Sequence, residues 1–304
     1  MHPQHNPLSP EVCRALLAEI EPSSTFMTVR PMGADGTHPA YVIEARAATG
    51  TVIQLAVKCY RHDVGPAVAR ARLEFKTLQM LQKHAVPVPV PLYWDEHGSL
   101  LGAPGIVTTF IPGKQLFSSP DVMNCARELA QVLAKIHSIS IGPAEKTWLV
   151  EANHTVLWFR NKGIMPDYMT NHPDGPLVWN ALEQLLPHWQ PVPPTFVHTD
   201  YWIGQVLWDQ TRIMAVLDWE EAGYGDPAYD VAYCRMDLWL GPMGRTAADE
   251  LLKVYAAEMG RPVSNLALWE LAATPRVMRN AAWEADSRQE LRDFIADVRM
   301  RSGL

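Results

Sequence analysis

Cysteine is scarce in this chain, with four in 304 residues. Cys13, Cys59, Cys125 and Cys234 lie far apart and form no CxxC pair. That excludes a zinc-finger pattern, and a disulfide framework for so long a chain. The four read as reduced and structural, in a cytoplasmic protein. No run of about 18 apolar residues exists, so no membrane span is expected. The leading MHPQHNPLSP lacks an apolar stretch, so no signal peptide is expected. Positive charge is short too. Lys and Arg number 26 against 33 Asp and Glu, a formal net charge of −7. This argues against a non-specific nucleic-acid binder, which needs a basic face. It fits, weakly, a cationic or metal-chelated ligand. There are no repeats and no low-complexity segment.

What is present is the material of a globular core. Hydrophobic residues make up 48% and charged residues 19%, neither suggesting disorder. At roughly 150 residues per domain the length suggests two domains or lobes.

Ser9-Pro10-Glu11 reads as a helix start: a capping hydroxyl, a proline at the first helical position and an acid in the first turn. Val12, Leu16 and Ile20 follow at helical spacing. Strands are predicted over 27–32, 41–45 and 52–59, the last two separated by Ala48-Thr49-Gly50. A helix is predicted over 68–83. The run Val86-Pro87-Val88-Pro89-Val90-Pro91 cannot extend it, because proline lacks the N–H and restricts its neighbour. A buried strand over 105–111 stops at Pro112-Gly113, which sets the expected boundary between a lobe of residues 1–112 and one of 113–304. Beyond it the chain looks mostly helical, over 122–136, 179–189, 247–259, 266–273 and 277–301, with Pro275 expected to break the last pair. The class this predicts is α+β, with a small β-rich lobe and a larger helical lobe.

One stretch of that helical lobe is different. Gln205-Val206-Leu207-Trp208 and 213–217 are apolar runs joined by the polar turn Asp209-Gln210-Thr211-Arg212, a hairpin pattern. Asp200 precedes the first run and Asp218 follows the second. Antiparallel strands place their outer ends side by side, so Asp200, Gln205 and Asp218 are expected to converge. Converging carboxylate and amide oxygens suit Mg²⁺, and a carboxylate left off the metal can take a hydroxyl proton. The plainer alternative is that both aspartates cap turns or helices. Upstream, Lys58 ends an apolar strand, and a lone buried ammonium is costly, so it implies a partner. Glu74 on the following helix is the candidate; otherwise Lys58 merely snorkels from the strand end. The loop 33–38, with Gly33 and Gly36, can let backbone N–H groups approach phosphates, or be just a turn.

His198-x-Asp200-x-x-x-x-Gln205, the hairpin, Asp218-Trp219-Glu220 and Gly225-Asp226-Pro227-Ala228-Tyr229-Asp230 together resemble the aminoglycoside phosphotransferase and choline kinase family, distant cousins of the protein kinases. The resemblance covers about the whole chain, and its specific part is the C-terminal motifs. It implies a bilobal protein-kinase-like fold and transfer of the γ-phosphate of ATP or GTP to a hydroxyl of a small alcohol, amino-alcohol, sugar or antibiotic. Asp200 would orient the acceptor hydroxyl and take its proton. Asp218 would bind Mg²⁺, with Gln205 in the place of a second metal ligand. Lys58 would hold the phosphates, Glu74 would position Lys58, and Gly33 and Gly36 would lie over the phosphates. The segment from Thr108 through Phe110 would meet the purine. His198, Asp226 and Asp230 would brace the loop and the helix after the metal strand.

One position departs from that family. Asparagine usually stands where this chain has Gln205, which is longer by one methylene. The longer amide either still ligates, or leaves a water in the gap, or disables the metal. The last case would make the protein a nucleotide-binding pseudokinase with a regulatory role. The macrolide-phosphorylating branch resembles this chain in departing from asparagine there, with histidine. The acceptor itself is not legible. Glu220, Glu221, Glu270, Glu284 and Asp286 could meet a cationic amine, although such acids are usually solvated. Trp158, Trp202, Trp239, Trp269 and Trp283 could form an aromatic cage, although tryptophans are more often core.

Overall fold

A computed structural model describes residues 8–33, 38–119, 121–160 and 163–304, apart from the side chains of residues 155 and 281–287. The chain divides into two compact units. One runs to Pro112 and takes in Leu217–Glu221; the other holds Gly113–Val216 and Ala222–Leu304.

The first unit contains α1 (Pro10–Ile20), β1 (Thr25–Pro31), β2 (Ala40–Arg46), β3 (Val52–Cys59), α2 (Ala67–Leu81), β4 (Pro91–Asp95) and β5 (Gly105–Thr109). The strands form one antiparallel sheet in the order β1-β2-β3-β5-β4. α1 starts as its sequence predicts: the Ser9 hydroxyl accepts the Val12 N–H at 3.3 Å, with Pro10 in the first turn. It buries Cys13, Leu16 and Leu17 against Tyr41, Ile43, Leu55 and Val57 of the sheet. On α2, Glu74 shares the buried face with Thr77, Leu78 and Leu81. That is an unusual place for a carboxylate unless it is paired.

The second unit contains α3 (Val122–His137), β6 (Val150–Glu151), α4 (Ala152–Val156), α5 (Asp167–Thr170), α6 (Gly175–Leu185), β7 (Thr195–Val197), β8 (Val206–Asp209), β9 (Arg212–Val216), β10 (Gly223–Gly225), α7 (Ala228–Leu240), α8 (Gly244–Glu258), α9 (Leu266–Arg279) and α10 (Ala281–Ser302). β8 and β9 are the expected hairpin, Val206 pairing with Val216. A small sheet in the order β6-β10-β7 lies outside the sequence reading. α7 is buried along its whole length, so it forms the centre of this unit. α6 begins at Gly175, earlier than the predicted 179, and gives way to a tight turn over Leu186–His188.

Pro275 does not break the helix as its sequence position predicts; it lies inside α9, and the break falls at Asn280. Proline has no N–H for the carbonyl four residues back. That carbonyl belongs to Leu271, and the Thr274 hydroxyl donates to it at 2.9 Å. A neighbouring side chain thus supplies the hydrogen bond that proline cannot. Among the described residues, no helix is long and apolar enough to cross a membrane. All four cysteines are free and buried. Burial pushes the Cys59 thiol up to about 12, which makes it a poor nucleophile.

Candidate active site

In the first unit, β3 delivers Lys58, α2 delivers Glu74, and the segment Leu217–Glu221 delivers Asp218 and Glu220. Lys58 Nζ donates to Glu74 at 2.8 Å and to Asp218, and forms an ion pair with Glu220 at 2.9 Å. The pairing of Lys58 with Glu74 is the one the apolar strand demanded. Burial opposes the ammonium charge, but Asp218 and Glu74, with Tyr60 and Glu220, outweigh it and hold the Lys58 pKa well above its ordinary value. Glu74 is buried, and burial raises its carboxyl against the pull of Lys58. The Tyr60 hydroxyl donates to it.

Glu220 goes the other way. Burial works against its charge, yet the His38 hydrogen bond and Lys58 bring it down to about 2. His38 Nδ1 accepts the Arg61 N–H at 3.1 Å, so the proton must sit on Nε2, which faces Glu220 at 3.1 Å. Arg70 Nη1 completes the ring of donors on Glu220 at 2.8 Å, and Nη2 reaches Glu221 at 3.3 Å. Sequence reading offered Glu220 and Glu221 to a cationic acceptor; the structure assigns their charge to arginine and lysine. Oxygens of Glu74, Asp218 and Glu220 all lie within 4.8 Å of one another. Hard oxygen donors so close suit Mg²⁺. Asp218 also has φ of +65°, a conformation that costs energy in a non-glycine residue and concentrates at functional sites.

The other candidates of this unit are less gathered. Gly33 has φ of +73° with no atom within 4 Å of a would-be Cβ, so its left-handed backbone is what requires glycine. Gly36 lies outside the described residues. Thr108 is buried in β5, opposite Ala56. The Thr109 N–H donates to Val90 and the Phe110 N–H to Gln54. These two donors are therefore spent within the sheet rather than offered to a purine.

In the second unit, Asp200 follows β7. Its carboxylate has two partners: Gln205 Nε2 donates to Oδ2 at 2.7 Å, and Arg276 Nη1 donates to Oδ1. A carboxylate accepts only, so the Gln205 NH₂ must face it. Thr199, just before Asp200, has φ of +68°, a strained value for a β-branched residue. Two side chains hold it there. Asp230 of α7 accepts the N–H of His198 at 2.7 Å and of Thr199 at 2.8 Å, and Arg276 Nη2 reaches the Thr199 carbonyl at 3.1 Å. Asp230 also meets His137 Nε2 at 3.1 Å. Burial alone would raise its pKa, but His137 and the His198 N–H hold it below the usual carboxylate range. His198 Nδ1 accepts the Asp200 N–H at 3.2 Å. Asp226 accepts the Ala228 N–H at 3.0 Å and the Trp269 ring N–H at 2.8 Å.

Two residues here escape the sequence reading. Arg276 sits on a helix whose local pattern says nothing of a partner 76 residues away. Asp237, buried on α7, is pushed up to about 7, chiefly by burial, with the Asp200 charge adding to it. The suggested aromatic cage does not form around Trp239 and Trp269, both of which are core. Glu270 is buried between Arg235 and Arg301. Trp283, Glu284 and Asp286 lie outside the described side chains.

The profile of the Phosphotransferase enzyme family matches residues 28–264. The chain is similar to mouse "Acyl-CoA dehydrogenase family member 10", 25% identical over 239 residues, 65% of this chain and 21% of that one. It is also similar to homoserine kinase of Sinorhizobium medicae, 27% identical over 204 residues, 64% of this chain and 60% of that one. The chain thus spans about a fifth and three fifths of the lengths of these two relatives. In three dimensions it is similar to a thermostable aminoglycoside phosphotransferase mutant in a ternary complex with AMP-PNP and hygromycin B. The TM-score is 0.64 at 18% identity, over 97% of this chain and all of that one. Such likeness shows the fold: α+β and protein-kinase-like, with a β-rich first unit and a larger helical second unit.

Proposed function

The chain belongs to the Phosphotransferase enzyme family, and from that premise we propose that it is a small-molecule kinase. It transfers the γ-phosphate of ATP or GTP to a hydroxyl of a small alcohol. The observation that carries this reading is the pairing of Lys58 with Glu74 and Asp218 in a family member that also keeps Asp200. Likeness to an AMP-PNP-bound structure supports a nucleoside triphosphate as donor. The homoserine kinase relative supports a small hydroxyl compound as acceptor.

Each residue has a part in this proposal. Lys58, positioned by Glu74, neutralises phosphate charge. Asp218 and Glu220 would hold Mg²⁺. When bound, the metal supplies charge neutralisation on the phosphates. Asp200 takes the proton as the acceptor oxygen bonds to the γ-phosphorus and the bond to the β–γ bridging oxygen breaks. His198, Asp230 and the strained Thr199 fix the aim of Asp200. Catalysis of this kind is positioning plus electrostatics.

The runner-up is a nucleotide-binding pseudokinase, favoured by Gln205, whose amide lies on Asp200. One experiment separates the two: nucleotide-dependent thermal stabilisation and ADP release in Mg²⁺, for wild type and Asp200→Ala. Stabilisation in both with release only in wild type supports the kinase. Stabilisation without release in either supports the pseudokinase. No stabilisation by ATP or GTP sinks both.

A further inference from the structure

Arg276 occupies the candidate base. Nη1 donates to Oδ1 of Asp200 and Nη2 to the Thr199 carbonyl at 3.1 Å. Its guanidinium lies 4.7 Å from the Tyr233 ring centroid, a stacked seat that limits its freedom. With Gln205 on Oδ2, both oxygens of Asp200 are engaged. Arg276 Nη1 takes the side of Oδ1 that an acceptor hydroxyl would use. To accept a hydroxyl proton, Asp200 needs that guanidinium to find another anion. Arg279 follows three residues later in the same last turn of α9, its guanidinium 5.0 Å from the Trp158 ring centroid. The helix C-terminus favours both cations. Glu270, which could have met a cationic ligand, is spent on Arg235 and Arg301.

From this placement we infer that the acceptor alcohol carries an anionic group, a carboxylate or a phosphate, which pairs with Arg276 and frees Oδ1 of Asp200 for the hydroxyl proton. The inference rests on the kinase reading above. In the transfer, the hydroxyl oxygen forms its bond to the γ-phosphorus as the bond to the bridging oxygen breaks. The nucleoside diphosphate leaves and the proton goes to Asp200. Arg276 touches the acceptor's anion and not the reacting atoms, so it is a specificity and positioning residue. A polycationic acceptor meets a like charge beside the base and is rejected.

The test offers the full chain, with MgATP, a panel of hydroxyalkanoates, their carboxamides, phosphate monoesters of short diols, and an aminoglycoside. ADP release and calorimetric binding are the readouts. Anionic alcohols should exceed their neutral counterparts by ~10-fold or more in kcat/KM, the two anionic arms showing which anion is preferred. In Arg276→Gln the KM for the anionic acceptor should rise ~10-fold or more while that for MgATP moves less than ~2-fold, and Arg276→Lys should recover part of the loss. A purely structural role would instead lower turnover of every acceptor alike, which overturns the inference. So would preferred turnover of neutral or cationic alcohols by wild type, or failure of every anionic alcohol to bind a chain that binds MgATP. In those cases the kinase reading stands. Failure to bind Mg²⁺–nucleotide at all removes the kinase reading and this inference with it.

Discussion

The Gln205 side-chain amide donates to Oδ2 of Asp200 at 2.7 Å. The residue that replaces the family's usual asparagine therefore orients the candidate base, whatever else it does. Its extra methylene gives it reach toward Asp200, while the family resemblance implies a second duty as a metal ligand.

Gln205→Asn separates these two duties. The shorter amide should give up the bond to Asp200 and regain the family's metal-ligand length. Mg²⁺ titrations of ADP release should then show half-saturation at several-fold lower metal, with kcat changed by about 10-fold or less. An unaltered Mg²⁺ dependence would show that Gln205 serves Asp200 alone.

Lys58→Met leaves the Glu74, Asp218 and Glu220 carboxylates without the ammonium they share. Removing one partner of a buried ion pair costs roughly 3–5 kcal/mol. Melting in EDTA should show that loss, and Mg²⁺ should restore more stability to the variant than it adds to wild type. Equal Mg²⁺ effects on both would mean that the carboxylates do not gather a divalent cation.

Asp230 accepts two backbone N–H groups and faces His137 while fully buried. Asp230→Ala should cost about 3–5 kcal/mol in urea melts near neutral pH. Its pKa is depressed from 3.8. The stability it contributes is therefore present above that value and lost as pH falls below it toward the folded value. The gap between variant and wild type should accordingly narrow only in strong acid. A gap that stays constant down to about pH 2 would contradict the depressed pKa.

Thr274→Val removes the hydroxyl that serves the Leu271 carbonyl beside Pro275. An orphaned buried acceptor costs about 1–3 kcal/mol. Chemical denaturation should show a loss in that range, and Thr274→Ser should retain most of the stability.

Much of this architecture is legible in the amino-acid sequence. α1 announces itself because Ser9, Pro10 and Glu11 each satisfy a local need of a helix start. The pairing of Lys58 with Glu74 follows from the cost of a lone ammonium in an apolar strand. β4 escapes notice because a strand opening on Pro91 looks like a breaker. At the sheet edge, however, a missing N–H costs no ladder bond. Pro275 misleads for a related reason, since the rescue by Thr274 is a side-chain event inside the helix. Arg276 and the strain at Thr199 have no local signature at all. They exist only once α9 and α7 pack beside the loop that carries Asp200.

Asp237 makes the final case, because its chemistry depends on that packing. It is buried on α7 and accepts the Ile203 N–H at 3.3 Å. Burial, helped by the Asp200 charge, raises its pKa from 3.8 to about 7. The folded chain thus binds this proton more tightly than the unfolded chain does. Its stability contribution is complete below 3.8 and is lost as pH rises through about 7. Asp237→Asn keeps the shape and one acceptor oxygen but cannot ionise. Wild type should lose a few °C of melting temperature between about pH 5 and pH 8 that the variant does not lose. The variant should be the more stable of the two at the alkaline end. Parallel melting curves across that range would show that Asp237 stays ionised in the fold.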